Sequence, residues 1–212
     1  TQRYTLEYDK NDRLTTVTHP DNAVIVYAYD SLGRRTSMKD PDGNVTSYSY
    51  ATASNNRKLS RVTFSLGGQI DFTYDATTGL PVSQNMNNGY GQTLALAEFD
   101  YDSLLRPEAI AHTNPAGVTF HEESYQYNDA SIRTRIDYAE EQSGNMVDLY
   151  RREFDYDDLY RLTAEAKKWA GSGTAASRYG YQYDPAGNRT QLAYYNGSST
   201  ATSTYAYSDF NQ

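Results

Sequence analysis

Apolar and polar positions alternate along much of this chain, and the alternation is punctuated by aromatic pairs two residues apart. VIVYAY (24–29) and VTSYSY (45–50) each end in Tyr-x-Tyr. Residues i and i+2 of a strand share a face, whereas on a helix they stand about 200° apart, so the spacing predicts strands. The pair then recurs. Tyr27/Tyr29, Tyr48/Tyr50, Phe72/Tyr74, Phe99/Tyr101, Tyr125/Tyr127, Phe154/Tyr156, Tyr181/Tyr183 and Tyr205/Tyr207 share one pattern, and Leu6/Tyr8 departs only in its first member. The second members lie 21, 21, 24, 27, 26, 29, 27 and 24 residues apart, which carries the repeat over nearly the whole chain. A fixed period of this kind is the signature of a repeat architecture.

The second Tyr of each pair is the marker of its repeat, and a turn begins directly after it. Asp9, Asp30, Asp75, Asp102, Asp157 and Asp184 occupy the next position, with Ala51, Asn128 and Ser208 in decayed copies. Arg13, Arg34, Arg106 and Arg161 stand five residues after their Tyr, and Gly33 and Gly187 four after. Asp accepts local backbone hydrogen bonds and Gly takes positive φ at little cost, so Asp-x-x-Gly closes a turn. RLTTVTH (13–19) and RLTAEAK (161–167) then predict an outgoing strand. A second turn comes next, as in PDN (20–22), PDG (41–43), NPAG (114–117) and SGN (143–145), and the chain returns to the next marker. Each unit predicts a β-hairpin with a tight link to the next. LTAEAKKWA (162–170) is rich in helix formers, yet the register of the repeat assigns it to a strand.

The expected fold is all-β: tandem β-hairpins forming a continuous antiparallel, curved or spiralling sheet. Residues 1–212 read as one array of about eight to nine repeats, a piece of a longer protein. About 17 strands at ~4.8 Å each make a sheet roughly 80 Å wide. Rolled into one ring, that width gives a diameter of roughly 25 Å, less than the roughly 34 Å of a 100-residue folded domain. In the rows of paired rings, equivalent positions recur only every second strand. The strand between is expected to fill the gap with Leu14, Val17, Val62, Ile110 and Leu162.

Composition sharpens this picture. There are 22 Tyr against 6 Phe and 1 Trp, and Tyr suits a pleated surface where its hydroxyl reaches a partner. The net charge of −8 argues against a nucleic-acid partner. With no Cys there is neither a disulfide nor a thiolate metal site. No apolar run is long enough for a membrane-spanning helix.

YDSLGRRTSMKDPDGNVTSYSY, YDDLYRLT and YDPAGNRT resemble the YD repeats of the Rhs family, which includes bacterial Rhs and Tc toxin components and animal teneurins. The resemblance is specific in the first two copies and around 181–190, and weaker from 51 to 150. It implies a segment of a β-shell, secreted or on the surface of a bacterium, whose partners are flanking repeats and an enclosed C-terminal toxin or effector polypeptide, as in polymorphic toxins. Such shells commonly end in a core-terminating segment, and this sequence ends at Tyr-Ser-Asp-Phe-Asn-Gln before any is seen. Adhesion or carbohydrate binding through exposed Tyr rows is the alternative, with glycans as the partner. Catalysis ranks third.

No residue is nominated as catalytic, metal-binding or cofactor-binding. His121-Glu122-Glu123 begins like HExxH, but Tyr125 occupies the second His position. Asp40-Pro41-Asp42-Gly43-Asn44 begins like a calcium loop, but Ala51 stands where the bidentate Glu belongs, so a turn is expected. Adjacent carboxylates such as Asp157-Asp158 and Glu140-Glu141 point to opposite faces of a strand, the wrong arrangement for shared acid–base work. Asn44, Asn188 and Asn196 sit in glycosylation-type triplets at predicted turns. The marker pairs and their turn residues are expected to define the repeat, with each turn Arg paired to the Asp of its own turn or to a neighbouring carbonyl.

Overall fold

The computed structural model of the protein describes residues 3–51 and 57–208. Only strands and turns occur among the described residues, so the all-β expectation holds. The final Asp-Phe-Asn-Gln lies outside them. Two compact units are distinguished, Thr1–Glu98 with Thr113–Val118, and Phe99–His112 with Thr119–Gln212.

The first unit is built on β1 (Thr5–Tyr8), β2 (Leu14–Thr18), β3 (Val24–Tyr29), β4 (Arg35–Lys39), β5 (Val45–Tyr50), β6 (Leu59–Phe64), β7 (Gln69–Tyr74), β8 (Pro81–Asn87) and the larger part of β9 (Thr93–Tyr101), as far as Glu98. Each pairs antiparallel with its neighbour in sequence. The second unit carries β10 (Pro107–Thr113), β11 (Thr119–Tyr127), β12 (Arg133–Gln142), β13 (Asn145–Tyr156), β14 (Leu162–Trp169), β15 (Ser177–Tyr183), β16 (Arg189–Tyr195) and β17 (Thr200–Thr204). From β11 to β17 the same sequential antiparallel pairing runs without a break.

The marker turns share one backbone. Asp30 N donates to Arg34 O, and Gly33 N donates to Asp30 O. This is a three-residue hairpin loop, a type I turn followed by a left-handed residue. The left-handed position is Gly33 or Gly187 in two turns, but Asp12, Leu105, Ser131 and Tyr160 elsewhere, with φ between 58° and 62° at these four. The turn at Ser143–Gly144 is different, a two-residue loop with positive φ at both positions, as type I′ requires.

Just after seven of the marker turns the ladder skips one residue. Glu7 opposes Thr16 but Tyr8 opposes Leu14, leaving Thr15 unpaired. The skipped residue is likewise Thr36, Ser60 and Val82 in the first unit, and Thr134, Thr163 and Thr190 in the second. Such a bulge bends the strand and increases its twist. Threonine suits it: Thr15 and Thr134 hydroxyls donate back to the carbonyls of Glu7 and Gln126 across the ladder.

Little is deeply buried. The buried apolar side chains are Val62 in the first unit and Ile136, Ala164 and Ala166 in the second, and among the described residues no side chain is fully enclosed. Val62 lies opposite Tyr48, and Ile136 opposite Tyr125. The marker pairs are half-buried, except at the ends, where Tyr8, Tyr205 and Tyr207 are exposed. The other face of the first unit is a carpet of short polar side chains, including Ser37, Ser47, Thr63 and Ser83. β14 is a strand despite its helix-forming composition. Ala164 and Ala166 pair with Asp155 and Glu153 on one side and Gly180 and Arg178 on the other, and ladders on both flanks outweigh propensity.

Candidate functional site

The repeated feature with defined chemistry is a clasp that joins each hairpin to the next. Its first part is the turn carboxylate. Asp30 Oδ1 accepts the backbone N–H groups of Leu32 and Arg34, both at 2.9 Å, and Oδ2 accepts Arg34 Nε at 2.7 Å. The same three bonds form at Asp9, Asp102 and Asp157, with Arg13, Arg106 and Arg161. Asn188 substitutes for Arg at Asp184, donating Nδ2 at 2.8 Å, and Asn44 does so at Asp40 at 2.9 Å. The calcium-like segment is therefore a turn whose carboxylate is already engaged, and two of the three glycosylation-type asparagines have their amides engaged in turns.

These partners hold the carboxyls below their usual range. Arg13's guanidinium is the main cause at Asp9, and the Asn188 amide at Asp184. At Asp102 and Asp157 the backbone N–H of the turn Arg leads. At Asp30 burial pushes upward, and the Arg34 backbone and side chain together override it.

The second part is the turn cation, which lies over the marker ring of the next repeat. Arg13 stands 4.8 Å from the Tyr29 ring centre, Arg34 4.3 Å from Tyr50, Arg106 4.5 Å from Tyr127 and Arg161 4.8 Å from Tyr183. Lys58 takes this place over Tyr74 at 4.8 Å. Arg13 and Arg161 also donate to the carbonyls of the next Asp, Asp30 and Asp184.

The third part is the marker hydroxyl. The β2–β3 ladder reaches only as far as Thr16–Val26, so the Leu14 carbonyl lies beyond its end. Tyr29 Oη donates to that carbonyl at 2.8 Å. Tyr50 bonds Arg35 O, Tyr74 bonds Leu59 O and Tyr127 bonds Pro107 O, all at 2.8 Å. Tyr156 bonds Arg133 O at 3.0 Å, Tyr183 bonds Leu162 O at 2.8 Å and Tyr207 bonds Arg189 O at 2.9 Å. The acceptor is always the residue facing the previous marker across its turn. These seven markers thus tie their own strands to the hairpin before them.

The residue at that acceptor position was only partly legible. Leu14 and Leu162, expected to lie between the rows of rings, occupy it in two repeats, and Arg35, Arg133 and Arg189 in three others. Arg35 lies between the rings of Tyr27 and Tyr48, at 5.8 and 4.6 Å. Arg133 lies between Tyr125 and Phe154, and Arg189 between Tyr181 and Tyr205. A guanidinium spans the two-strand gap between aromatic rows while keeping its stem on the sheet, which corrects the expectation of aliphatic filling alone. The doublet Arg34-Arg35 was the available signal: one Arg serves the turn and the next serves the rings.

Ring faces are widely occupied. Besides the cations, Tyr138 stacks on Tyr150 at 4.5 Å and Tyr179 on Tyr194 at 4.7 Å, and Lys167 lies 3.9 Å from the Tyr150 centre. His121 lies between Glu123 at 3.6 Å and Glu140 at 3.8 Å. Among the described residues no group of three His, Asp or Glu is arranged to hold a metal ion.

Residues 8–45 and 29–58, which contain the first clasps, match the family model described as RHS Repeat. That part of the chain is similar in sequence to RHS repeats. No curated protein matches it. Among solved structures, a crystal structure of TcdB2-TccC3-Cdc42 is similar in fold, with a TM-score of 0.64 and 14% identity over 98% of this chain. This chain spans 13% of that one. A TcdB2-TccC3-TEV structure aligns over 97% of this chain and 14% of that one, with a TM-score of 0.48 and 11% identity. A structure of the Photorhabdus luminescens Tc holotoxin pore with a TccC3 mutation aligns over 95% of this chain and 14% of that one, with a TM-score of 0.46 and 12% identity. Beyond residue 58 the marker-hydroxyl bond of the clasp forms at Tyr127, Tyr156, Tyr183 and Tyr207.

Proposed function

We propose that this chain is a wall segment of an RHS-type shell that helps enclose a C-terminal toxin or effector polypeptide, and that it is itself non-catalytic. In this reading residues 1–212 are one continuous array within a longer secreted bacterial protein, flanked by further repeats. The observation that carries it is the clasp. A link that each hairpin makes to the one before it builds a wall of any length without a second layer, which suits a barrier. The RHS repeats and the fold similarity to the TcdB2-TccC3-Cdc42 structure support it. A sheet of about 17 strands at ~4.8 Å is too narrow to encircle a folded cargo by itself, so enclosure would be shared with other segments.

The test is protease protection in the full-length gene product. A C-terminal polypeptide should survive digestion while associated with the repeats and be degraded once the shell is unfolded in denaturant. Equal digestion rates in both conditions would remove the enclosure reading.

A further inference from the structure

We propose that two cross-strand pairs, Tyr138–Tyr150 and Tyr179–Tyr194, are oxidative modification sites, at which a one-electron oxidant of the peroxidase class joins the paired rings as dityrosine. The chain has 22 Tyr, but its register keeps most of them apart. Across the ladders the earlier rings of the marker pairs face Met38, Val62, Gln84, Ile136, Glu165 and Leu192, none of them aromatic. The exceptions lie outside the marker pairs. Tyr138 directly faces Tyr150 between β12 and β13, and Tyr179 faces Tyr194 between β15 and β16. Their ring centres are 4.5 and 4.7 Å apart, with the planes inclined by 21° and 28°. Rings stacked this closely are in contact, which brings together the ring carbons beside the two hydroxyls. Those are the carbons at which phenoxyl radicals couple. Tyr179 is 37% exposed and open to an oxidant in solution. Trp169, 53% exposed, stands edge-on to Tyr150 at 6.1 Å and gives the inner pair an electron path outward.

Each phenol gives one electron to the oxidant and its hydroxyl proton to water. Lys167 lies 3.9 Å from the Tyr150 ring centre and opposes a positively charged ring, so there the proton must leave with the electron. The two neutral phenoxyls form one carbon–carbon bond ortho to their hydroxyls. The hydrogen on each coupled carbon then moves to its oxygen and restores the phenol. For each link the protein loses two hydrogens, as two electrons and two protons. Contact within one hairpin makes the coupling intramolecular and favours it over encounters between chains. A chain without Cys has no disulfide, and each link would staple one hairpin covalently. The proposal rests on ring geometry alone and involves neither a cargo nor a neighbouring repeat.

The test is photo-oxidation of the dilute intact chain by a ruthenium tris-bipyridyl complex with persulfate, read by dityrosine fluorescence and by mass spectrometry of proteolytic fragments. Monomeric product should contain fragments linked Tyr138 to Tyr150 and Tyr179 to Tyr194. Tyr150→Phe should abolish the first link and keep the second, and Tyr194→Phe the reverse, so the surviving link reports that each variant is folded. Oxidation in urea should scatter the links over other tyrosines. Links formed mainly at other tyrosines of the folded chain, or only between chains, would overturn the proposal. So would the same two links forming equally well in urea, or no dityrosine where free tyrosine under the same light is converted.

Discussion

The marker is always Tyr, while the ring two residues earlier is Tyr or Phe. The clasp explains the difference. A marker hydroxyl is the donor for a carbonyl that the ladder has left behind, whereas the earlier ring only packs and meets cations. Tyr183→Phe should therefore destabilise the second unit by about 1 kcal/mol, the usual net worth of such a bond plus an unmet carbonyl. Tyr181→Phe, two residues away on the same face, should cost under about 0.5 kcal/mol. Urea midpoints at unchanged slope would check both, and equal losses at the two positions would contradict the assigned role. The Asp and Arg of the turn were legible because their chemistry is local. The second Arg, at 35, 133 and 189, was not, because its partners are rings on neighbouring strands brought near only by the ladder.

At the scale of the hairpin, the turn is stricter than its sequence. Its fourth residue must be left-handed, and Leu105 and Tyr160 adopt that conformation with φ of 62° and 61° while more than half exposed. A side chain there strains against the carbonyl that comes after it, which Gly avoids. Leu105→Gly and Tyr160→Gly should each stabilise the protein by about 1 kcal/mol, read as a rise in Tm of several degrees. A fall would mean these side chains contribute packing that the strain conceals. β14 teaches the complementary lesson. Its Ala and Lys favour a helix, and two flanking ladders make it a strand. The repeat register carried information that propensity lacked.

For the whole molecule, the turn carboxylates act in concert. Asp9, Asp30, Asp102, Asp157 and Asp184 all titrate below the ordinary 3.8 when folded. The unfolded chain therefore binds protons first as pH falls. The stabilisation is complete above the unfolded carboxylate range and is lost as pH drops through the lower folded values. Urea midpoints should be flat from about pH 7 to 5 and decline steeply below about pH 4. Asp30→Asn should flatten part of that decline, and an unchanged profile would show that the turns are not where protons act.

The period, the strands, the turns and the shared face of each aromatic pair were determined by the sequence alone. Each depends on residues within a few positions of one another, through side-chain alternation and turn chemistry. Tertiary structure alone decided how successive repeats are joined. The skipped residue after the marker turns, the carbonyl stranded beyond the ladder and the cation laid over the next ring all come from register between strands. A one-residue slip would move every one of these partners to the other face.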